Sequence, residues 1–126
     1  MIRRLILTLI GLLSMVQPAG CEMPLAYRVE KLAQLPGIPW GMAFLNPTEL
    51  LVSLRAGQLL KLNTITGESS GVHNLPAIHH AGQGGLLDVA AAPGYTAGDW
   101  IYFTYSKPQG KKGATALARA RLQEDR

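Results

Sequence analysis

The fold is decided by one stretch, residues 82–89, which reads GQGGLLDV. Three glycines around one glutamine predict a backbone that bends sharply or passes very close to another segment. The apolar residues that follow predict a strand directly after that turn. The amide of Gln83 can offer both donors and an acceptor to a polar ligand. The stretch therefore predicts a tight turn carrying a candidate binding residue; the alternative is an amide that only caps its own turn.

Short strands separated by turn signals extend outward from this stretch in both directions. Asn46-Pro47, Ala56-Gly57 and Pro93-Gly94 mark turns. The segment 107–113 is polar and contains glycine, so we expect a loop that projects into solvent. A helix over 114–123 is disfavoured, because helical spacing would mix its arginines with its alanines. The predicted strands are Tyr27–Leu32, Trp40–Leu45, Glu49–Leu54, Gln58–Asn63, Leu86–Ala91, Trp100–Ser106 and Thr115–Leu122.

The order of these strands repeats. Pro47 and Pro93 stand 46 positions apart, and each is flanked by the same sequence of strand, proline turn, strand, turn and strand. A period of about 40–50 residues with several short strands is typical of β-propeller blades. We therefore expect an all-β chain that forms about the first two blades of a propeller.

The first 21 residues have the layout of a secretory signal peptide. Arg3 and Arg4 precede an apolar run over 5–16, and small residues lead to Cys21. We expect a periplasmic or secreted protein. The alternatives are a bacterial lipoprotein signal that is lipidated on Cys21 and attaches the protein to the outer membrane, or a buried N-terminal helix. Cys21 is the only cysteine, so no intramolecular disulfide can form.

The charge balance argues against nucleic acid as a partner. The chain has 12 basic and 8 acidic residues, and removal of the signal segment takes away Arg3 and Arg4. No basic cluster larger than Lys111-Lys112 exists, and no aromatic residues are interleaved with it. A nucleic-acid-binding surface normally needs a concentrated basic patch.

Four blocks in this order resemble the start of the glucose/sorbosone dehydrogenase family, whose members are periplasmic sugar dehydrogenases that use pyrroloquinoline quinone (PQQ). The resemblance covers roughly residues 29–122 and implies a six-bladed propeller. It identifies residues 27–126 as the N-terminal part of such a domain, apparently truncated. The blocks are residues 39–59, 76–90, 100–106 and 115–122.

The resemblance implies PQQ and calcium as cofactors and places Gln83 where it hydrogen-bonds the cofactor and the sugar. The family's catalytic histidine, calcium ligands and basic cofactor clamps come from later segments, so we assign no catalytic or metal-binding residue here. His79 and His80 are expected to be solvated loop residues, because adjacent side chains on an extended segment point apart. Asp88 is expected to have a structural role as a buried partner of an amide or an arginine.

The sequence also gives expectations for two tryptophans and one arginine. Trp40 and Trp100 are expected to pack in the core or between blades. In the family, the residue before the Arg55 position is often acidic, whereas this chain has Leu54, which leaves the role of Arg55 open.

The resemblance implies a fragment of an enzyme that oxidises the anomeric carbon of an aldose to a lactone and passes electrons to an external acceptor. On its own, the 126-residue chain is expected to show no turnover. The alternative is a non-catalytic propeller that binds sugar, cell-wall material or a protein. A propeller hydrolase is the weakest alternative, because Asp88 and Asp99 stand in no acidic cluster.

Overall fold

The computed structural model describes residues 27–123 as seven strands in two antiparallel sheets. The predictions made for residues 1–21, including the lipidation of Cys21, lie outside this range. No helix within 27–123 is long and apolar enough to cross a membrane. The first sheet has the order β1-β2-β3-β4 and the second β5-β6-β7. The strands are β1 Pro39–Asn46, β2 Glu49–Leu54, β3 Gln58–Asn63, β4 Ser69–Val72, β5 Leu86–Ala91, β6 Trp100–Gln109 and β7 Lys112–Arg121.

The first three strands confirm the sequence prediction closely. The turn between β1 and β2 forms because the side-chain oxygen of Asn46 accepts hydrogen bonds from the amides of Thr48 and Glu49, both at 2.9 Å. Asparagine favours such turns because its side chain can bond the backbone ahead of it. The β2–β3 pairing runs without a register shift from Glu49 to Leu54.

Strand β4 was not predicted from the sequence. Its residues, Ser-Ser-Gly-Val, have weak strand propensity. The strand forms because Asn63 turns the chain back toward β3: its side-chain oxygen accepts from the amides of Ile65 at 2.8 Å and Thr66 at 3.0 Å. Pairing with β3 then supplies the ladder hydrogen bonds.

Two sequence predictions were wrong. The polar segment 107–113 is not a projecting loop: β6 and β7 continue through it and pair as far as Gln109 with Lys112, leaving a turn at Gly110 and Lys111. Gly110 has a φ of +58°, which allows this short connection. Residues 27–32 form no strand: their side chains are exposed, and their main chain pairs with no strand in the described part of the chain.

The main core lies between the two sheets. The predicted alternation of β7 is confirmed, because Ala116, Ala118 and Ala120 pack against this core while Leu117 and Arg119 on the opposite face are exposed. Small side chains on that face let the sheets approach each other. The buried members of the core are Leu45, Leu51, Leu59, Leu86, Val89, Ile101, Phe103 and Tyr105.

The other face of the first sheet carries a second apolar cluster. Ala33 and Leu35, from the segment before β1, pack against it. Leu54 belongs to this cluster and is fully buried, with its side chain beside Gly37. The remaining buried members are Leu50, Val52, Leu60 and Leu62.

Candidate functional site

The candidate site lies where the leading strands of the two sheets, β1 and β5, pack side by side. Ser53 is completely buried at this junction. Its hydroxyl accepts a hydrogen bond from the amide of Gly41 at 2.9 Å and donates to the carbonyl of Leu87 in the other sheet. One side chain of β2 thereby fixes the position of β5, the strand that follows the glycine-rich turn.

The glycine-rich turn itself agrees with the sequence prediction. The amide of Gly84 donates to the carbonyl of Ala81 at 2.8 Å and closes the turn. Gly82 has a φ of +56°, in the left-handed region. Gly85 passes so close to the first sheet that a side chain there would overlap the main chain of Arg55. The close contact therefore requires glycine at position 85, and the left-handed backbone favours it at position 82.

The end of this turn is tied into both sheets. The amide of Ser106, in β6, donates to the carbonyl of Gly85 at 2.8 Å, and the amide of Leu86 donates to the carbonyl of Arg55 at 3.1 Å. Farther upstream, the amide of His79 donates to the carbonyl of Ser106 at 2.8 Å. The backbone on either side of Gln83 is thus anchored by main-chain hydrogen bonds.

Gln83 stands at the exposed tip of the anchored turn. Its side-chain amide makes no hydrogen bond to any residue in the range 27–123, so within that range it does not cap its own turn. An amide held on a fixed backbone with its donors and acceptor unused is suited to bind a polar ligand.

Arg55 brings a positive charge to the same junction. Its guanidinium donates a hydrogen bond to the carbonyl of Gly82, and its central carbon lies 5.9 Å from the centroid of the Trp40 ring. No sequence signal links Arg55 to the turn, because Gly82 is 27 positions farther along the chain. Arg55 and Ser53 are the residues of this junction whose contacts the sequence did not predict.

Three titratable residues, His79, His80 and Asp88, lie close to the glycine-rich turn in the sequence. His80 is exposed, while His79 is half-buried with its ring against Gly113. Asp88 is exposed rather than buried as expected, and its carboxylate accepts from the amide of Val89 at 2.9 Å. Within residues 27–123, no three acidic, histidine or cysteine side chains come together as a metal site.

Neither tryptophan is buried in the core, which was one of the two expected placements; Trp40 lies at the junction between the two sheets. Trp40 is 47% exposed and stacks with Arg55. Trp100 is half-buried, and the guanidinium carbons of Arg119 and Arg121 lie 4.3 and 4.4 Å from its ring centroid. Cation–π stacking therefore occupies both indole rings within the described range.

A cleft of about 1020 Å³ opens between the outer strands of the two sheets, away from Gln83 and Arg55. Phe103 and Tyr105 line its floor, and Tyr95 lies at its side. Burial raises the pKa of the Tyr95 hydroxyl, and the nearby charge of Asp99 raises it further. Neither Gln83 nor Arg55 lines this cleft, so it is separate from the junction of the two sheets.

Comparison with known proteins gives a consistent answer. The family model described as "Glucose / Sorbosone dehydrogenase" matches residues 37–126. The chain is 36% identical to the aldose sugar dehydrogenase YliI of Escherichia coli over 105 residues, which cover 81% of this chain and 28% of that protein. The chain therefore spans less than a third of the length of this relative.

Solved structures show the same fold. The structure of a glucose dehydrogenase superposes with a TM-score of 0.71 at 33% identity, covering 78% of this chain and 31% of the other. A PQQ-bound aldose sugar dehydrogenase from Streptomyces coelicolor superposes with a TM-score of 0.57 at 24% identity, covering 75% of this chain and 34% of that one. At that identity, this second likeness shows the fold alone.

The expected fold is confirmed: the chain is all-β, and its two sheets are neighbouring blades of a β-propeller, of which the chain covers only a part. The family model begins at residue 37, just before β1, and extends over both sheets. The chain belongs to the glucose/sorbosone dehydrogenase family.

Proposed function

We propose that this chain is the N-terminal part of a periplasmic PQQ-dependent sugar dehydrogenase that oxidises the anomeric carbon of an aldose to a lactone. The observation that carries the proposal is the exposed Gln83 amide, unused on a turn that is tied into both blades. Membership of the family supports the reaction class, and the names of the similar proteins support an aldose as substrate.

The residue at the tip of the turn suits a polar cofactor. Gln83 offers two donors and an acceptor, and the guanidinium of Arg55 lies behind it, against the carbonyl of Gly82. When bound, PQQ supplies the two-electron acceptor for the hydride from the anomeric carbon. An external acceptor then receives the electrons. Gln83 would hold and orient the polar ligands during that transfer.

The reaction also needs a calcium site and a catalytic base, and we propose that both lie outside the described residues. No acidic cluster within 27–123 suits a calcium ion, so we propose that calcium is bound elsewhere. The proton of the anomeric hydroxyl needs a base with a pKa near neutrality. In the family that the chain resembles, this base is a histidine of a later segment, so we place it outside the described residues.

The test is PQQ-dependent dye reduction by the complete gene product. The apo-protein is loaded with PQQ and calcium and assayed with a panel of aldoses, for the natural sequence and for Gln83→Ala. We expect sugar-dependent reduction, and a loss of kcat/KM of about tenfold in the variant, equivalent to about 1.4 kcal/mol.

A matched control is Gln123→Ala, because Gln123 is also exposed but follows β7 at the Trp100 end of the second blade, whereas Ser106, which bonds the turn, lies toward the other end of β6. It should retain the activity of the natural sequence. If the loaded protein oxidises no aldose but binds sugar or cell-wall material, the non-catalytic alternative replaces the enzyme. If Gln83→Ala has unchanged kinetics, the binding role of Gln83 is wrong.

A further inference from the structure

Arg55 has an unusual position for a charged residue at the end of a strand. It directly follows β2, and its backbone is hydrogen-bonded on both sides: its amide donates to the carbonyl of Ile38 at 3.0 Å, and its carbonyl accepts from Leu86 at 3.1 Å. The first bond holds the entry of β1 and the second holds the entry of β5. The origin of the Arg55 side chain is therefore fixed between the two blades.

The Arg55 side chain contacts residues of the junction between the two sheets and forms no ion pair within residues 27–123. Its Nη2 donates to the carbonyl of Gly82, and its guanidinium lies beside the ring of Trp40. The ion pairs formed among residues 27–123 are Arg28 with Glu30 and Lys61 with Glu49, so neither involves Arg55. Its Nε–H is buried without a hydrogen-bond partner in the same range. Among the described residues, pairing with an acid therefore does not explain this placement.

The contacts of the turn show what the guanidinium does there. Main-chain hydrogen bonds to neighbouring strands hold the turn at Gly85 and Leu86. The Gly82–Gln83 portion has no such main-chain bond to either sheet within the described residues; Gly84 only closes the turn onto Ala81. The contact that ties this portion to the first blade is the hydrogen bond from Arg55 to the Gly82 carbonyl.

We propose that Arg55 is a positioning residue for Gln83. By holding the carbonyl of the preceding residue, its guanidinium fixes the backbone from which the Gln83 side chain projects, and so fixes where the amide meets its ligand. This role rests on the function proposed above. In the family, an acidic residue often precedes this arginine. Here that position is Leu54, which is fully buried in the second apolar cluster. The positioning role gives Arg55 a function that does not need the acid.

The first arm of the test needs neither cofactor nor sugar. Hydrogen–deuterium exchange of the peptide spanning residues 79–86 is measured by mass spectrometry in the complete gene product. We expect Arg55→Met to speed exchange in this peptide at least tenfold. Arg55→Lys should stay within about threefold of the natural sequence, because lysine keeps a charged donor for the Gly82 carbonyl.

The control for this arm is Arg119→Met. It removes an arginine whose guanidinium also stacks on a tryptophan, at 4.3 Å from the Trp100 centroid, but which lies far from the turn. Exchange of residues 79–86 should not change in this variant. If Arg55→Met also leaves that exchange unchanged, or speeds it equally across the whole protein, the anchoring role is overturned.

The second arm is a double-mutant cycle in the sugar oxidation assay. Arg55→Met should lower kcat/KM about as much as Gln83→Ala, and the double variant should lose no more than either single one, because both changes remove the same interaction. Arg55→Lys should recover most of the loss. A double variant whose loss is the product of the two single losses contradicts the positioning role.

The two arms separate this proposal from the proposed function. A protein that oxidises no sugar when loaded with PQQ overturns the function, while the exchange result still decides whether Arg55 anchors the turn. Normal sugar oxidation together with unaltered kinetics in Arg55→Met overturns the positioning role alone.

Discussion

Gly85 lies directly against the main chain of Arg55: a Cβ built on the glycine would overlap the arginine carbonyl oxygen and come within 3.0 Å of its carbonyl carbon. The same carbonyl accepts the amide of Leu86 at 3.1 Å. Close packing and a hydrogen bond therefore join the two blades at one point, next to the candidate binding residue.

The first prediction concerns this contact. Gly85→Ala should destabilise the protein by about 3 kcal/mol, because the added methyl group meets backbone atoms that cannot move aside. Chemical denaturation with a fluorescence readout measures the change. Gly71→Ala is the matched control, since its added Cβ would meet nothing nearer than 3.9 Å, and it should change stability by less than about 0.5 kcal/mol. Equal effects in the two variants contradict the close-contact explanation.

The second prediction concerns the hydroxyl that joins the sheets. Ser53→Ala should lower the free energy of unfolding by about 1–3 kcal/mol, because the Gly41 amide loses its acceptor and the Leu87 carbonyl loses its donor inside the core. Ser70→Ala, at an exposed position of β4, should be nearly neutral. Unfolding in denaturant compares the two, and a neutral Ser53→Ala would show that water replaces the hydroxyl.

The third prediction concerns the pH dependence of an ion pair on the first blade. Hydrogen bonds from Lys61 and Asn46 lower the pKa of Glu49 below its ordinary value. The Nζ of Lys61 lies 3.1 Å from the Glu49 carboxylate, and both side chains are partly exposed. A depressed folded-state pKa stabilises the fold above the unfolded-state pKa of about 4.3, and this contribution is lost as pH falls through the folded value.

Lys61→Met should therefore raise the pKa of Glu49 toward its ordinary value, as followed by NMR titration of the carboxyl carbon. The stability above pH 5 should fall by about 0.2–1 kcal/mol, as for other exposed ion pairs. Lys31→Met is the control, because Lys31 donates to an uncharged partner, Gln34, at 2.7 Å. An unchanged Glu49 titration in Lys61→Met would assign the lowered pKa to Asn46 instead.

The fourth prediction concerns export, which we propose from the first 21 residues. Deletion of the apolar run 5–16 should keep the complete gene product in the cytoplasm, whereas the natural sequence should reach the periplasm with those residues removed. Cell fractionation and mass spectrometry of the mature N-terminus measure both. A mass increase by acyl chains on Cys21, abolished by Cys21→Ser, identifies the lipoprotein form; export that survives the deletion contradicts the proposal.

Much of the fold could be predicted from local sequence signals. Strands β2, β3 and β5 have the predicted bounds, because apolar residues and turn-forming pairs mark both of their ends. Strand β4 could not be predicted, since its strand state comes from pairing with β3 and from the turn at Asn63. The strand predicted at 27–32 was wrong for the opposite reason: its residues favour a strand, but no partner strand pairs with them within the described range.

The candidate site was predictable only in part. The spacing of the glycines predicted the turn and the position of Gln83, because glycine is preferred where the backbone bends sharply or passes close to another segment. The contact between Arg55 and Gly82 leaves no such trace, since it joins segments 27 positions apart. The hydroxyl of Ser53 has the same limitation: its donor and acceptor partners lie 12 and 34 positions away.

The carbonyl of Arg55 makes the start of the second blade depend on the first. Because the turn after β2 supplies the acceptor for the first amide of β5, this hydrogen bond exists only where both blades are folded. The shape of the turn that carries Gln83 is therefore a property of the pair of blades. Damage to the first sheet should disturb the binding turn even where every residue of the turn is intact.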